Sequence, residues 1–154
     1  IRKGNNMTIT VDQIKTLREE TGAGIMDVRK ALTESDGDTK KAKAWLEKKG
    51  MKRAAEKSDR STEAGYVFSY VHFNGKVGSL VKLACETDFV AKTEDFQNLG
   101  KEIAMQVASM KPENVDELLK QDFLKDTSKT IEALIKLISG KTGENIKIVA
   151  IAAL

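Results

Sequence analysis

The residues able to do chemistry are few and scattered. His72 is the only histidine and Cys85 the only cysteine, and neither has a further His or Cys close by in the chain. Transition metals need several such ligands at close spacing, so no metal site is expected. A nucleophilic serine or cysteine needs a histidine base in a recognisable arrangement, and none is present. Gly22-Ala23-Gly24 has two glycines of a dinucleotide motif without the third and follows a helix instead of a strand, so it reads as a turn. There is no phosphate-binding loop ending in Gly-Lys-Ser/Thr. Carboxylates are plentiful, but nothing brings two into one pocket, and Asp88 has no partner as an acid or base. No catalytic residue, metal or cofactor is expected. The pattern favours a binding or coupling protein over an enzyme.

One stretch stands out, Val81 to Ala91. Val81, Leu83 and Cys85 alternate with Lys82, Ala84 and Glu86, the period of a half-buried strand. Thr87 or Asp88 can cap the helical run that follows. Asp88-Phe89 therefore falls at a strand-to-helix corner. A phenylalanine there either folds back into the core or projects as an anchor for a partner's pocket; composition leaves both open.

The elements around it follow from periodicity. Thr10 caps a first helix bearing Val11, Ile14 and Leu17, which Gly22 stops. A second helix has Ile25, Val28 and Leu32 on one face. A third starts at Asp38 or Thr39, points Ala42, Trp45 and Leu46 inward, and ends at Lys48-Lys49-Gly50. Three short helices make a minimal bundle over 7–50, with Trp45 supplying much of its core. Residues 1–6 are set aside as a cloning remnant or the end of a cleaved transit sequence, with Met7 as the initiator. Residues 51–63 read as a basic linker. Within 40–60, nine basic residues stand against three acidic ones. Such clustering attracts phosphates, but no aromatic platform for bases is interleaved.

Over 64–154 the expectation is a small antiparallel sheet packed with helices. Asn74-Gly75 signals a tight type I′ hairpin between strands 65–73 and 76–86. Phe96, Leu99, Gly100, Ile103, Ala104, Val107 and Ala108 mark an amphipathic helix closed at Met110-Lys111-Pro112. A short helix and loop follow over 114–124. A last helix carries Ile131, Leu134, Ile135 and Ile138 and ends at Gly140. The final strand, 146–154, is apolar enough to require a central place, cover by a partner, or a longer parent chain. The fold class is α+β. No apolar run approaches the ~20 residues that span a bilayer, and the lone cysteine fits a reducing compartment.

Two stretches in register resemble the translation elongation factor Ts family. One is Thr21-Gly22-Ala23-Gly24-Ile25-Met26-Asp27-Val28-Arg29-Lys30-Ala31-Leu32. The other is Cys85-Glu86-Thr87-Asp88-Phe89-Val90-Ala91, and Thr142-Gly143-Glu144-Asn145-Ile146 is similar to a third family motif. The resemblance covers about residues 8–154. It implies a ubiquitin-associated (UBA)-like helical module followed by a first core subdomain, and catalysis of GDP release from elongation factor Tu. It further implies that Asp88 and Phe89 contact Tu's GTPase domain, with Phe89 wedging between two helices and disturbing the magnesium and phosphate sites, and with Thr87 and Val90 shaping the turn. Arg18, Ile25 and Met26 match a second contact on that domain. No direct nucleotide binding and no membrane partner are implied.

The chain departs from longer members in having no second core subdomain or helical hairpin after Leu154, and 122–128 runs almost directly into the last helix. A compact form, a fragment, or a homodimer pairing through the last strand would each account for this. Bacterial cytoplasm is the expected compartment, with a mitochondrial or plastid matrix as the alternative. The competing function is an RNA-associated helical-bundle protein using the basic 40–60 segment.

Overall fold

A computed structural model describes residues 8–154. The expected leader, 1–6, and Met7 lie outside them. The fold is α+β, with two apolar clusters. The first belongs to three helices, α1 (Val11–Thr21), α2 (Ile25–Glu34) and α3 (Thr39–Glu56). Thr10 opens α1 with a capping box, its hydroxyl accepting from Gln13 N while the Gln13 side chain accepts from Thr10 N. Asp38 caps α3 through the Lys40 and Lys41 amides. Leu17, Val28, Ala31, Leu32, Ala42 and Leu46 form the core, with Trp45 only half-buried at its edge. Two expected core residues are elsewhere: Val11 and Ile25, each the first residue of its helix, are exposed.

The third helix does not end at Gly50. It continues to Glu56, so the first half of the expected linker is helical. Met51, Ala54 and Ala55 are good helix formers, and Ala54 is buried. This second half of α3 lies against α7 (Ile131–Thr142), which itself runs past Gly140 to a left-handed cap at Gly143.

The second cluster fills the space between a three-stranded sheet and its helices. β1 (Ala64–Val71) pairs antiparallel with β2 (Gly78–Cys85), and β2 with β5 (Lys147–Ala153). Ser79, Val81, Leu83 and Cys85 face the helices, while Leu80 and Lys82 point to the exposed side. After β2 come a one-turn helix, α4 (Asp88–Ala91), and the long α5 (Glu94–Met110). Phe96, Leu99, Ile103, Ala104 and Val107 of α5 are buried in this cluster, as the periodicity predicts. Lys111, at φ 45°, closes α5 before Pro112.

The hairpin turn is longer than the expected type I′. Val71 opposite Gly78 is the last ladder pair, His72 N bonds Val77 O, and Gly75 has positive φ while Asn74 does not. Residues 114–130 are more ordered than expected: α6 (Val115–Lys120) leads into a two-stranded ribbon, β3 (Asp122–Phe123) with β4 (Asp126–Thr130). The buried Gln106 holds it, donating to Asp122 O and accepting from Leu124 N. Among the described residues β5 is an edge strand, not a central one, because only β2 pairs with it.

Candidate functional site

The Thr87 turn is tied down on both sides of Phe89, at Thr87, Val90 and Ala91, while the side chains of Asp88 and Phe89 are left out. Thr87 caps α4 by accepting from Val90 N at 3.3 Å. Its carbonyl lies 3.2 Å from the Cys85 thiol. Val90 and Ala91 are buried, the Thr93 hydroxyl donates to Val90 O, and the Gln97 amide donates to Ala91 O. Asp88 and Phe89 project, and Phe89 is 81% exposed. Of the two readings of Phe89, folding back into the core is therefore excluded. Val90 supports the turn from below instead of offering a contact surface.

Cys85 beneath the turn is buried, and burial, followed by the nearby Glu144 charge, pushes its thiol up to about 11. A thiol so raised is protonated at neutral pH and is no nucleophile. His72 sits at the other end of β2, hydrogen-bonded to the Tyr70 hydroxyl at 2.9 Å and beside the Phe73 ring. Among the described residues no three His, Cys, Asp or Glu are grouped to hold a metal ion, and no helix is long and apolar enough to cross a membrane.

The three residues expected to form a helical contact lie around the corner between α1 and α2. Arg18 is exposed in the last turn of α1, Ile25 opens α2, and Met26 beside it is 76% exposed. This corner is seated on the end of α7: a Cβ on Gly22 would fall 2.1 Å from Lys141 O, so only glycine permits the approach. Lys141 also pairs with Asp95 at the start of α5, 3.1 Å away. One turn further, Glu144 accepts from Thr87 N at 3.1 Å and from the Thr87 hydroxyl. The end of α7 thus links the corner of Arg18, Ile25 and Met26 to the turn of Asp88 and Phe89.

Asp27 in the first long stretch has a structural task. It accepts from Lys49 at 2.7 Å and Arg53 at 2.8 Å, fastening α2 to α3. Lys43 pairs with Glu20, Lys57 donates to Gly143 O, and Arg60 lies 3.7 Å from Glu86. Much of the basic segment is therefore engaged within the fold. Sequence reasoning passed over Asp27, Lys57 and Glu144 as partners because the groups they meet are remote in the chain.

The family model described as elongation factor TS matches residues 86–154. An elongation factor Ts from Fervidobacterium nodosum is 45% identical over 147 residues, covering 88% of this chain and 75% of that protein. The chain belongs to the elongation factor Ts family. One from Syntrophus aciditrophicus is 40% identical, covering 91% of this chain and 92% of its own. One from Oleidesulfovibrio alaskensis is 54% identical over 109 residues, covering 71% of this chain and 55% of its own. The Syntrophus alignment spans 185 positions against 154 residues here, so that relative carries internal residues this chain lacks. Family membership gives the chain a role in translation elongation.

Proposed function

We propose that the chain is a guanine-nucleotide exchange factor that promotes GDP release from elongation factor Tu, acting by contact and not by bond chemistry. Asp88 and Phe89 engage Tu's GTPase domain, with Phe89 as the wedge, and Arg18, Ile25 and Met26 form the second contact. The observation that carries this reading is an exposed phenylalanine on a turn held on both sides, at Thr87 and at Val90-Ala91. An apolar anchor held rigidly loses little freedom on binding.

Linkage sets the energetics. A factor that weakens GDP binding is itself bound less tightly when GDP is present, by the same ratio. A ten-thousandfold faster release needs about 5.5 kcal/mol of barrier lowering. Burying one phenylalanine supplies roughly 1.5–3 kcal/mol, so both contact regions are needed. The relatives' bacterial sources support a bacterial cytoplasm as the setting. As an edge strand, β5 is also suited to pair with a second copy of the chain, which sedimentation velocity would reveal as a dimer.

The test is release of a fluorescent GDP analogue from elongation factor Tu, with this chain and with Phe89→Ala. Acceleration that is largely lost in the variant is expected. Acceleration unchanged by the substitution would remove the wedge from the mechanism, and no acceleration would overturn the function.

A further inference from the structure

Beneath the exposed turn sits a carboxylate that the wedge mechanism does not itself require. Glu144 is 9% exposed, within a turn between α7 and β5. Its carboxylate reaches back 57 positions in the chain to Thr87, taking the backbone N–H on one oxygen and the hydroxyl on the other. The hydroxyl that donates to Glu144 is the same one that accepts from Val90 N to cap α4. With the hydroxyl proton committed to the carboxylate, a lone pair stays directed at the Val90 amide.

The support of Glu144 is equally specific. Its own carbonyl accepts from the Ser139 hydroxyl, and Lys57 donates to the preceding carbonyl, of Gly143, at 2.9 Å. The following residue, Asn145, donates its backbone N–H to Glu86 at 2.8 Å and its side-chain amide to Ser58 O and Arg60 O. The Gly143-Glu144-Asn145 turn is thus gripped by the segment leaving α3 on one side and grips the Thr87 turn on the other.

We propose that Glu144 is a positioning residue for Phe89, bracing the Thr87 turn against the end of α3 so that the exposed ring meets its partner without yielding. This rests on the wedge reading above. A ring on a slack turn still binds, but the turn bends instead of the partner, and the lost effect falls on the rate of release.

The test pairs exchange kinetics with hydrogen exchange on the whole chain. Glu144→Ala is expected to lower the saturating rate of GDP-analogue release about tenfold, with half-saturation changed less than about twofold. Glu144→Gln keeps an acceptor oxygen and should recover part of the rate. In a Phe89→Ala background, Glu144→Ala should add almost nothing, since it acts through that ring. An equal loss in both backgrounds, or a wild-type rate in Glu144→Ala, would overturn the proposal.

Amide exchange of the chain alone decides the case independently of the partner. Thr87 N–H should exchange faster in Glu144→Ala while β2 amides keep their protection. An unchanged Thr87 amide would overturn the bracing. If Glu144→Ala loses β2 protection as well, the same comparison is made with Glu144→Gln. If Phe89→Ala exchanges nucleotide as well as the parent chain, the wedge reading fails, and the Thr87 amide still shows whether Glu144 holds the turn.

Discussion

Gly50 on α3 and Gly140 on α7 meet backbone to backbone, and the contact is not symmetric. A Cβ on Gly140 would lie 2.6 Å from the Gly50 carbonyl carbon, whereas one on Gly50 would lie 3.5 Å from Gly140 Cα. The first cannot be accommodated without moving a helix; the second is ordinary contact. Gly140→Ala should therefore destabilise the chain by about 1–3 kcal/mol through overpacking. Gly50→Ala should be neutral or stabilising by up to about 1 kcal/mol, because alanine replaces a helix-interior glycine. Thermal denaturation of the two variants should move Tm in different directions.

Asp27 gives the helical bundle a pH dependence. The hydrogen bond from Lys49 comes first in holding its carboxyl below the usual range, with desolvation opposing and Arg53 adding to the lowering. A carboxylate whose pKa is lowered on folding stabilises the native state above its unfolded pKa of about 3.9, and that contribution is lost as pH falls through the folded value. Asp27→Asn should cost about 0.5–1 kcal/mol at neutral pH. Parent and variant stabilities, measured by denaturant titration, should converge below pH ~4.

Phe89 and its neighbour Val90 should separate function from stability. Phe89→Ala removes an exposed ring and is expected to leave unfolding within about 0.5 kcal/mol. Val90→Ala removes methyl groups from the buried cluster and should cost roughly 1–3 kcal/mol. Parallel denaturation and exchange assays would show loss of release without loss of stability for the first, and measurable destabilisation for the second.

The basic segment should not behave as a nucleic-acid surface. Lys43, Lys49, Arg53, Lys57 and Arg60 already meet protein groups. Binding to phosphates releases counterions and makes affinity fall steeply with salt. A slope near zero is expected in a log–log titration of RNA binding against salt, and a slope of several units would restore the RNA reading.

What could be read from the chain was local. The Thr10 and Thr87 caps, the buried face of α5 and the stop at Lys111-Pro112 depend on residues within a turn of one another. From sequence alone Gly50 and Gly140 read as helix ends, since glycine commonly closes helices; both instead lie inside their helices, and at Gly140 the room for a Cβ is taken by α3. The ribbon of β3 and β4 is not legible in the sequence because Asp126-Thr127-Ser128-Lys129-Thr130 has no apolar alternation. The projection of Phe89 could not be decided locally either, because it depends on Val90 taking the buried place.

The position of the single tryptophan gives the molecule a built-in pair of optical reporters. Trp45 lies at the edge of the helical cluster, under the Lys49 ammonium 5.2 Å from its ring centroid, while both tyrosines lie on β1, Tyr70 packed against the other cluster and Tyr66 exposed. Indole emission therefore follows one half of the molecule and tyrosine absorbance the other. Because α3 runs unbroken from Trp45 to its seat on α7, the two signals should fall together on heating.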